Sequence, residues 1–479
     1  MPKILIRTVA AIAAFSAVTG VRADENREVV MPLDSCIAIA LSDNPTIKIA
    51  DMEVTRLDYS RKETLGQLLP TVDFGASYNR MLAKQVAYMN MDRFGSMGGG
   101  DNGGDNGGET PESRASGSKP TGIKMGLDNS YSIGFQAAVP LIAPQLWKTL
   151  KLSDSQILQQ YEQARTSRLE MVNSVKSAYY ALLLALDSQR TIKESYDMAV
   201  FTADLYAKQY ELGAASQYDV LRTEVQVKNV EPEMSQAEIA VKQAQLQLSV
   251  LMGLDAALKI KPDRTLADYE TTMYGDALSA ASQRDSLATL NPSMRMLDAQ
   301  TRTLARSLDV QKAAWYPTLA ATVNYNWTSS SDGSPFKNFR WNPYSVFGLQ
   351  FSLPIFQGGQ RWNRIKQTET QLTEMSLQRQ DLTRQVNMQV DLAIDNINTN
   401  VKQIASCSES VRQSKTAYEI ARRSFEIGAA SYLEIRDSEL ALTRSRLAYY
   451  QAIYNYLVAR SELELLTGSF DLKPYTPAR

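Results

Sequence analysis

A set of landmarks occurs twice along this chain of 479 residues, in the same order and at nearly constant spacing. Asn44-Pro45 is followed 25 residues on by Leu69-Pro70, and Asn291-Pro292 is followed 25 residues on by Tyr316-Pro317. Further along, Ala138-Val139-Pro140-Leu141 matches Ser352-Leu353-Pro354-Ile355. The run from Tyr210 to Ser216 matches that from Phe425 to Ser431, with Gly213-Ala214-Ala215-Ser216 repeated as Gly428-Ala429-Ala430-Ser431. Leu251-Met252-Gly253 returns as Leu466-Thr467-Gly468, and in both copies 40 residues separate the first glycine from the closing one. Self-similarity of this kind marks an internal duplication, so any fold for the chain has to be built from two like halves. The first half carries about 33 extra residues, inserted between its Leu69-Pro70 and Pro140.

Each half reads as helix, β-hairpin, very long helix, short turn, long helix. Helical-period segments run from Leu33 to Leu68 and from Leu278 to Trp315. The strands alternate: Val72, Phe74, Ala76 and Tyr78 interleave with Asp73, Gly75, Ser77 and Asn79. Leu319, Ala321, Val323, Tyr325 and Trp327 do the same in the second half. The return strands follow suit, with Tyr131, Ile133, Phe135, Ala137 and Val139 in the first copy and Phe347, Leu349, Phe351 and Leu353 in the second. Period-two alternation over about ten residues suits a lipid-facing barrel strand, and equally a half-buried strand of a soluble sheet. On the membrane reading two hairpins supply four strands, about half of the minimum for closure, so several copies of the chain are needed. The helical stretches from Pro144 to Gly213 and from Pro354 to Gly428 would each reach on the order of 100 Å at 1.5 Å per residue. Their Ala, Gln, Ser and Leu content suits close packing along a long seam, with a kink expected at Pro232.

The chain has no histidine, which removes the commonest general acid/base and the commonest zinc ligand. No catalytic motif and no metal-ligand spacing stands out, so neither an enzyme nor a cofactor is expected. Lys and Arg number 51 against 52 Asp and Glu, which gives no basic excess for nucleic acid. Lys3 and Arg7, the apolar run Val9 to Val18 and the small-residue site before Asp24 form a signal-peptide pattern. The resulting division is a signal peptide at 1–23, a first repeat at 24–260, a second at 261–470 and a tail at 471–479. Within the repeats, β-hairpins are expected at about 70–140 and 317–354, and helical hairpins at 144–253 and 355–468. Cys36 and Cys407 are far apart in sequence and read as separate helix-packed thiols, with a disulfide left open. The Gly- and Asn-rich run from Gly98 to Gly108 has too little apolar content to pack and reads as a long hairpin loop.

The ordered landmarks, the two-copy plan and the glycine turns at Gly213 and Gly428 together resemble the TolC family of outer-membrane efflux proteins, over roughly Met31 to Phe470. The resemblance implies a mixed, mainly α fold: a long antiparallel helical coiled-coil barrel joined to a trimeric 12-stranded transmembrane β-barrel, four strands per chain. It implies an exit duct of a tripartite efflux or type I secretion system, sited in the outer membrane with helices in the periplasm. The implied partners are two further copies of the chain, outer-membrane lipid, a periplasmic adaptor protein and an inner-membrane pump. Pro70, Pro140, Pro317 and Pro354 would mark strand-to-helix junctions. Gly213, Ala214, Ala215, Ser216, Gly428, Ala429, Ala430 and Ser431 would form the adaptor-contacting tips, with Ser216 and Ser431 able to cap the next helix.

Glu434 and Asp437, three residues apart on one helix face, would ring the periplasmic gate in a trimer and favour cations. Asp219 matches a family acid that helps to hold the closed state. The basic partner expected two residues after the second tip glycine is Ala430 here, and a tyrosine expected three residues before it is Phe425. A lock would therefore need other groups, with Arg222, Arg422 and Arg423 as the nearby cations. The rival reading is a periplasmic coiled-coil adaptor, which should carry one helical hairpin rather than two copies with amphipathic strands.

Overall fold

The computed structural model describes residues 28–89, 121–254, 259–270, 291–335, 340–427, 429–470 and 472. The expected signal peptide at 1–23, the start of the helical segment from Leu278 and nearly all of the tail lie outside the described residues. In chain order the elements are β1 (Glu28–Met31), α1 (Leu33–Asp43), α2 (Pro45–Gly66), β2 (Thr71–Arg80), β3 (Gln85–Met89), β4 (Thr121–Met125), β5 (Asn129–Ile142), α3 (Pro144–Glu211) and α4 (Gln217–Met252). There follow β6 (Lys259–Pro262), a 3-10 turn at Leu266–Tyr269, α5 (Pro292–Ala313), β7 (Thr318–Ser331), β8 (Asn342–Ser352), α6 (Gln360–Glu426) and α7 (Tyr432–Thr467). The chain divides into two compact units, one of residues 1–60, 152–308 and 366–479, the other of 61–151 and 309–365.

The first unit is helical. Val175, Ala178, Tyr179, Leu182 and Leu183 of α3 are buried at i, i+3, i+4, i+7 and i+8, the stripe of a helix with one covered face. They pack into one core with Ile37 and Ala40 of α1, Leu248 and Met252 of α4, Ile260 of β6, Leu266, and Ile453 and Tyr456 of α7. On α6 the buried residues Val386, Val390, Ala393, Ile397 and Ile404 keep a four-three spacing, the narrow seam of a coiled coil. β1 and β6 pair in parallel, which puts a strand across the 260/261 repeat boundary. Tyr179 is tied in by its hydroxyl, which donates to Asp263 at 3.0 Å and to the Met31 carbonyl at 3.3 Å.

The Asn-Pro landmarks have a physical role in this unit. The expected helix from Leu33 is broken at Asn44, whose ψ of 127° is extended, because a residue before proline avoids the helical region. Asn44 is buried, and its Nδ2 donates to the Leu251 carbonyl at 2.8 Å while its Oδ1 accepts from Thr46 N at 2.8 Å. Asn291 repeats the arrangement, donating to the Leu466 carbonyl at 2.7 Å and accepting from Met294 N at 3.1 Å. Each asparagine thus starts one helix and clamps the end of a long one. The clamped ends turn at Gly253 (φ 68°) and Gly468 (φ 59°), left-handed caps that favour glycine. At Gly253 a Cβ would stand 3.0 Å from the Asp43 carbonyl oxygen, which leaves no room for a side chain beside the Asn44 clamp.

The second unit holds a four-stranded antiparallel sheet in the order β2-β5-β7-β8. β3 and β4 make a separate two-stranded ladder, and the glycine-rich run from Gly98 to Gly108 lies outside the described residues. Three of the four junction prolines sit as expected, just before or after a strand: Pro70, Pro317 and Pro354. Pro140 does not. It lies inside β5, next to the register shift between Pro140 and Ile142, where a residue lacking an N–H is tolerated, and the helix starts at Pro144 instead. In the second copy the helix starts at Gln360 rather than near Pro354, because Gly358 (φ 56°) and Gly359 (φ 76°) hold a left-handed turn ahead of it. Helix α4 runs unbroken through Pro232 as one element. At 68 and 67 residues, α3 and α6 each extend on the order of 100 Å. No described helix is long and apolar enough to cross a membrane.

Candidate functional site

Two regions carry the functional expectations, and the sheet is the first. Its register stacks apolar residues in rows across the strands: Val72, Ala137, Val323 and Phe347 form one, and Ala76, Ile133, Trp327 and Pro343 another. Phe74 and Phe135 lie with ring centroids 5.1 Å apart, Tyr78 and Tyr131 stack at 5.0 Å, and Tyr325 meets Trp327 edge-on at 4.6 Å. Exposure shows that this face has no cover of its own: Val72 is 68% exposed, Phe74 62% and Phe347 68%. The opposite face is mostly polar, with Asp73, Gln136, Asn324 and Val346 in one row and Ser77, Ser132, Thr328 and Asn342 in another. One face apolar and the other polar is the signature of a barrel wall between lipid and water. On the polar face Gly134 is required, since a Cβ there would fall 1.9 Å from Asn326 Oδ1 and 2.7 Å from the Tyr325 carbonyl oxygen.

Beyond the strand ends of the same sheet, Lys84 pairs with Asp332 at 2.8 Å and with Asp128 at 3.2 Å. Asn129, fully buried, donates to the Ser331 and Gly333 carbonyls and accepts from the Tyr78 hydroxyl at 2.9 Å. These contacts join the hairpin of the first copy to that of the second.

The second region is the pair of helical turns. At the first, Gly213 takes φ 73°, with open space around it, and Ala214 N donates back to the Gln209 carbonyl at 2.7 Å. Ser216 then caps α4: Asp219 N donates to Ser216 Oγ at 3.2 Å, and Ser216 N donates to Asp219 Oδ2 at 3.3 Å. Ser431 caps α7 in the same reciprocal way, with Glu434 N donating to its Oγ at 3.4 Å and Ser431 N donating to Glu434 Oε2 at 3.2 Å. Both are capping boxes, in which a serine and an acid three residues later satisfy two orphan helix N–H groups. Gly428 lies outside the described residues; Ala429 and Ala430 both donate their N–H to the Ser424 carbonyl, at 2.8 and 3.1 Å. Ala214, Ser216, Ala429 and Ser431 are exposed, and Ala215 and Ala430 half-buried.

The acids are therefore placed unequally. Asp219 and Glu434 are each engaged in a local cap, and both Glu434 and Asp437 are exposed. The Asp437 side chain makes no hydrogen bond or ion pair among the described residues. Of the three candidate cations, Arg422 is tied to Glu426 on its own helix at 3.0 Å. Arg222 reaches the other hairpin, with its guanidinium 5.1 Å from the centre of the Tyr432 ring. Tyr206 of α3 meets Tyr432 edge-on at 5.6 Å and Phe425 of α6 at 6.5 Å. Burial holds the Tyr206 and Tyr432 phenols above their ordinary pKa, and for Tyr206 the nearby Asp219 adds to the effect. This group is not visible in the sequence because its three rings and Arg222 come from four helices; the phenylalanine in place of tyrosine at position 425 is the available signal.

A protein-family model described as outer membrane efflux protein matches residues 36–254 and 284–469, one segment within each of the two copies. The chain belongs to the outer membrane efflux protein family. Among its relatives is the outer membrane protein TolC of Vibrio cholerae, 20% identical over 342 residues, which are 71% of this chain and 76% of the relative. Another is the alkaline protease secretion protein AprF of Pseudomonas aeruginosa, 23% identical over 346 residues, covering 72% and 70% of the two chains. In fold the chain is similar to the CmeC outer membrane channel of Campylobacter jejuni, with a TM-score of 0.68 at 15% identity over 95% of this chain and 93% of that one. As a member of the efflux family the protein is an outer-membrane channel and not an enzyme, with its helices extending into the periplasm. The adaptor reading falls, since the family match spans both copies and the amphipathic sheet has no place in it.

Proposed function

We propose that three copies of this efflux-family chain close a twelve-stranded barrel in the outer membrane, and that their helical hairpins form a passive duct gated at its periplasmic tip. The observation that carries this reading is the four-stranded sheet, apolar on one face, whose edge strands β2 and β8 have no further partner among the described residues. An edge of that kind is satisfied only by another strand, and four strands are too few to close on themselves. Neighbouring copies, β2 of one against β8 of the next, supply the missing ladders.

The gate is assigned to Glu434 and Asp437, six carboxylates in a trimer, with Asp219 close by. Asp437 is the freer of the pair, since Glu434 also caps α7. The tips Gly213 to Ser216 and Gly428 to Ser431 meet a periplasmic adaptor that couples the duct to an inner-membrane pump. Their small side chains, and at the first tip the open space around Gly213, suit a close helical contact. The relatives' names span protease secretion and toluene efflux, and a passive duct of this form serves either kind of cargo. Adaptor docking would shift the population from closed to open by binding the open tips more tightly. The test is single-channel conductance in planar bilayers, comparing wild type with Glu434→Ala/Asp437→Ala. Small currents that grow in the variant support the gate; identical currents place it elsewhere, and failure of both proteins to insert refutes the channel.

A further inference from the structure

We propose that the closed state of this channel is held by an aromatic clasp between its two helical hairpins, in which Arg222 and Tyr206 of the first hairpin grip Tyr432 and Phe425 of the second. The inference rests on the gate reading above and names the groups that keep that gate shut. Two of the three gate carboxylates are engaged locally, Asp219 with Ser216 and Glu434 with Ser431, each within its own turn, and the Asp437 carboxylate bonds no described group of the other hairpin. Arg422 is likewise paired on its own helix. Nearest the turns, what crosses from one hairpin to the other is a cation over a ring face and two ring–ring contacts; further along the helices Ser195 of α3 also donates to Glu439 of α7 at 3.0 Å. The Arg222 guanidinium lies 5.1 Å from the Tyr432 centroid, within reach of a cation–π attraction. Tyr206 stands edge-on to the same ring at 5.6 Å, the arrangement that sets a positive ring edge against a negative face. Tyr206 also touches Phe425, at 6.5 Å and 39°.

Position matters as much as contact. Tyr432 is the first residue of α7, directly after the capping Ser431 and two residues before Glu434. Arg222 is three residues after Asp219 on α4. A clasp on Tyr432 therefore holds the first turn of the helix that carries Glu434 and Asp437, and its release frees that turn to move. All four groups are half-buried, so they are reachable by rearrangement without breaking a core. The Tyr432 hydroxyl makes no hydrogen bond among the described residues, so the ring is the functional part.

The experiment is the ratio of open to closed time in planar-bilayer recordings of the full-length protein, with reversal potential and thermal unfolding measured alongside. Arg222→Gln and Tyr432→Leu are each expected to raise the open/closed ratio about two- to fivefold per subunit. The double variant should exceed the larger single effect only slightly, because Tyr432→Leu already removes the contact that Arg222→Gln removes. Tyr432→Phe, which keeps the ring, should behave as wild type. Selectivity and unfolding temperature should stay unchanged for Arg222→Gln. The clasp is overturned if Arg222→Gln and Tyr432→Leu gate as wild type while Glu434→Ala/Asp437→Ala widens the channel, or if Tyr432→Phe opens as readily as Tyr432→Leu. Silence from wild type and from the acidic-ring variant would instead overturn the gate on which the clasp rests.

Discussion

Replacing Asn44 or Asn291 by alanine tests whether the twice-written Asn-Pro landmark is a clamp on a distant helix end or only a local cap. Each side chain makes two bonds from a buried position, 2.8 and 2.8 Å for Asn44, 2.7 and 3.1 Å for Asn291. Loss of the helix-start bond costs about 1 kcal/mol. The carbonyl of Leu251 or Leu466, left buried without its donor, costs about 1–2 kcal/mol more. Each alanine variant should therefore lose about 2–3 kcal/mol of stability in the helical unit, read as a lower urea midpoint in far-UV circular dichroism of detergent-solubilised protein. Aspartate decides between the two roles. It caps helices as well as asparagine does, yet it would set a carboxylate oxygen where Nδ2 now donates to a carbonyl. Asn44→Asp and Asn291→Asp should be no more stable than the alanine variants. If aspartate restored the wild-type midpoint, the clamp argument would be refuted and the landmark would be a cap alone.

Gly134→Ala should block assembly of the membrane sheet, since its Cβ would strike the Tyr325 carbonyl as well as Asn326; heat-resistant oligomer on a gel reports this, and a wild-type yield would contradict it. Glu439, to which Ser195 donates at 3.0 Å, has its carboxyl pKa raised by burial, so the folded state favours the proton. Its stability contribution is present below about pH 4 and is lost as pH rises through the raised value. Glu439→Gln should unfold at a higher temperature than wild type at pH 7 to 8, with the difference vanishing near pH 4. Cys36 and Cys407 are both free; burial pushes the Cys36 thiol up to about 12, so a maleimide should label Cys407 in the folded protein and Cys36 only after unfolding.

Much of this architecture could be read from the chain because prolines and glycines punctuate it. Pro70, Pro317, Gly253 and Gly468 each fix a local backbone choice, and local choices are visible in sequence. The lipid-facing rows were legible for the same reason: Phe74 and Trp327 announce their face by alternation. What stayed hidden depends on partners far along the chain. Asn44 bonds Leu251 across 207 residues, and β1 pairs with β6 across 231 residues (259 − 28) through two strands of four residues, too short for a period to stand out. Pro140 looked like its copy Pro354, yet a bulge absorbs it within β5. Glu434 and Asp437 share a helix face by their spacing, while Ser431-Tyr432-Leu433-Glu434 also spells a capping box, which the structure closes.

A trimeric duct narrowed by an acidic ring has a direct signature in the reversal potential of single channels under a salt gradient. Wild type should be cation-selective, and Glu434→Ala/Asp437→Ala should conduct more and lose most of that preference. An anion-selective wild type, or a selectivity untouched by removal of both acids, would contradict the account.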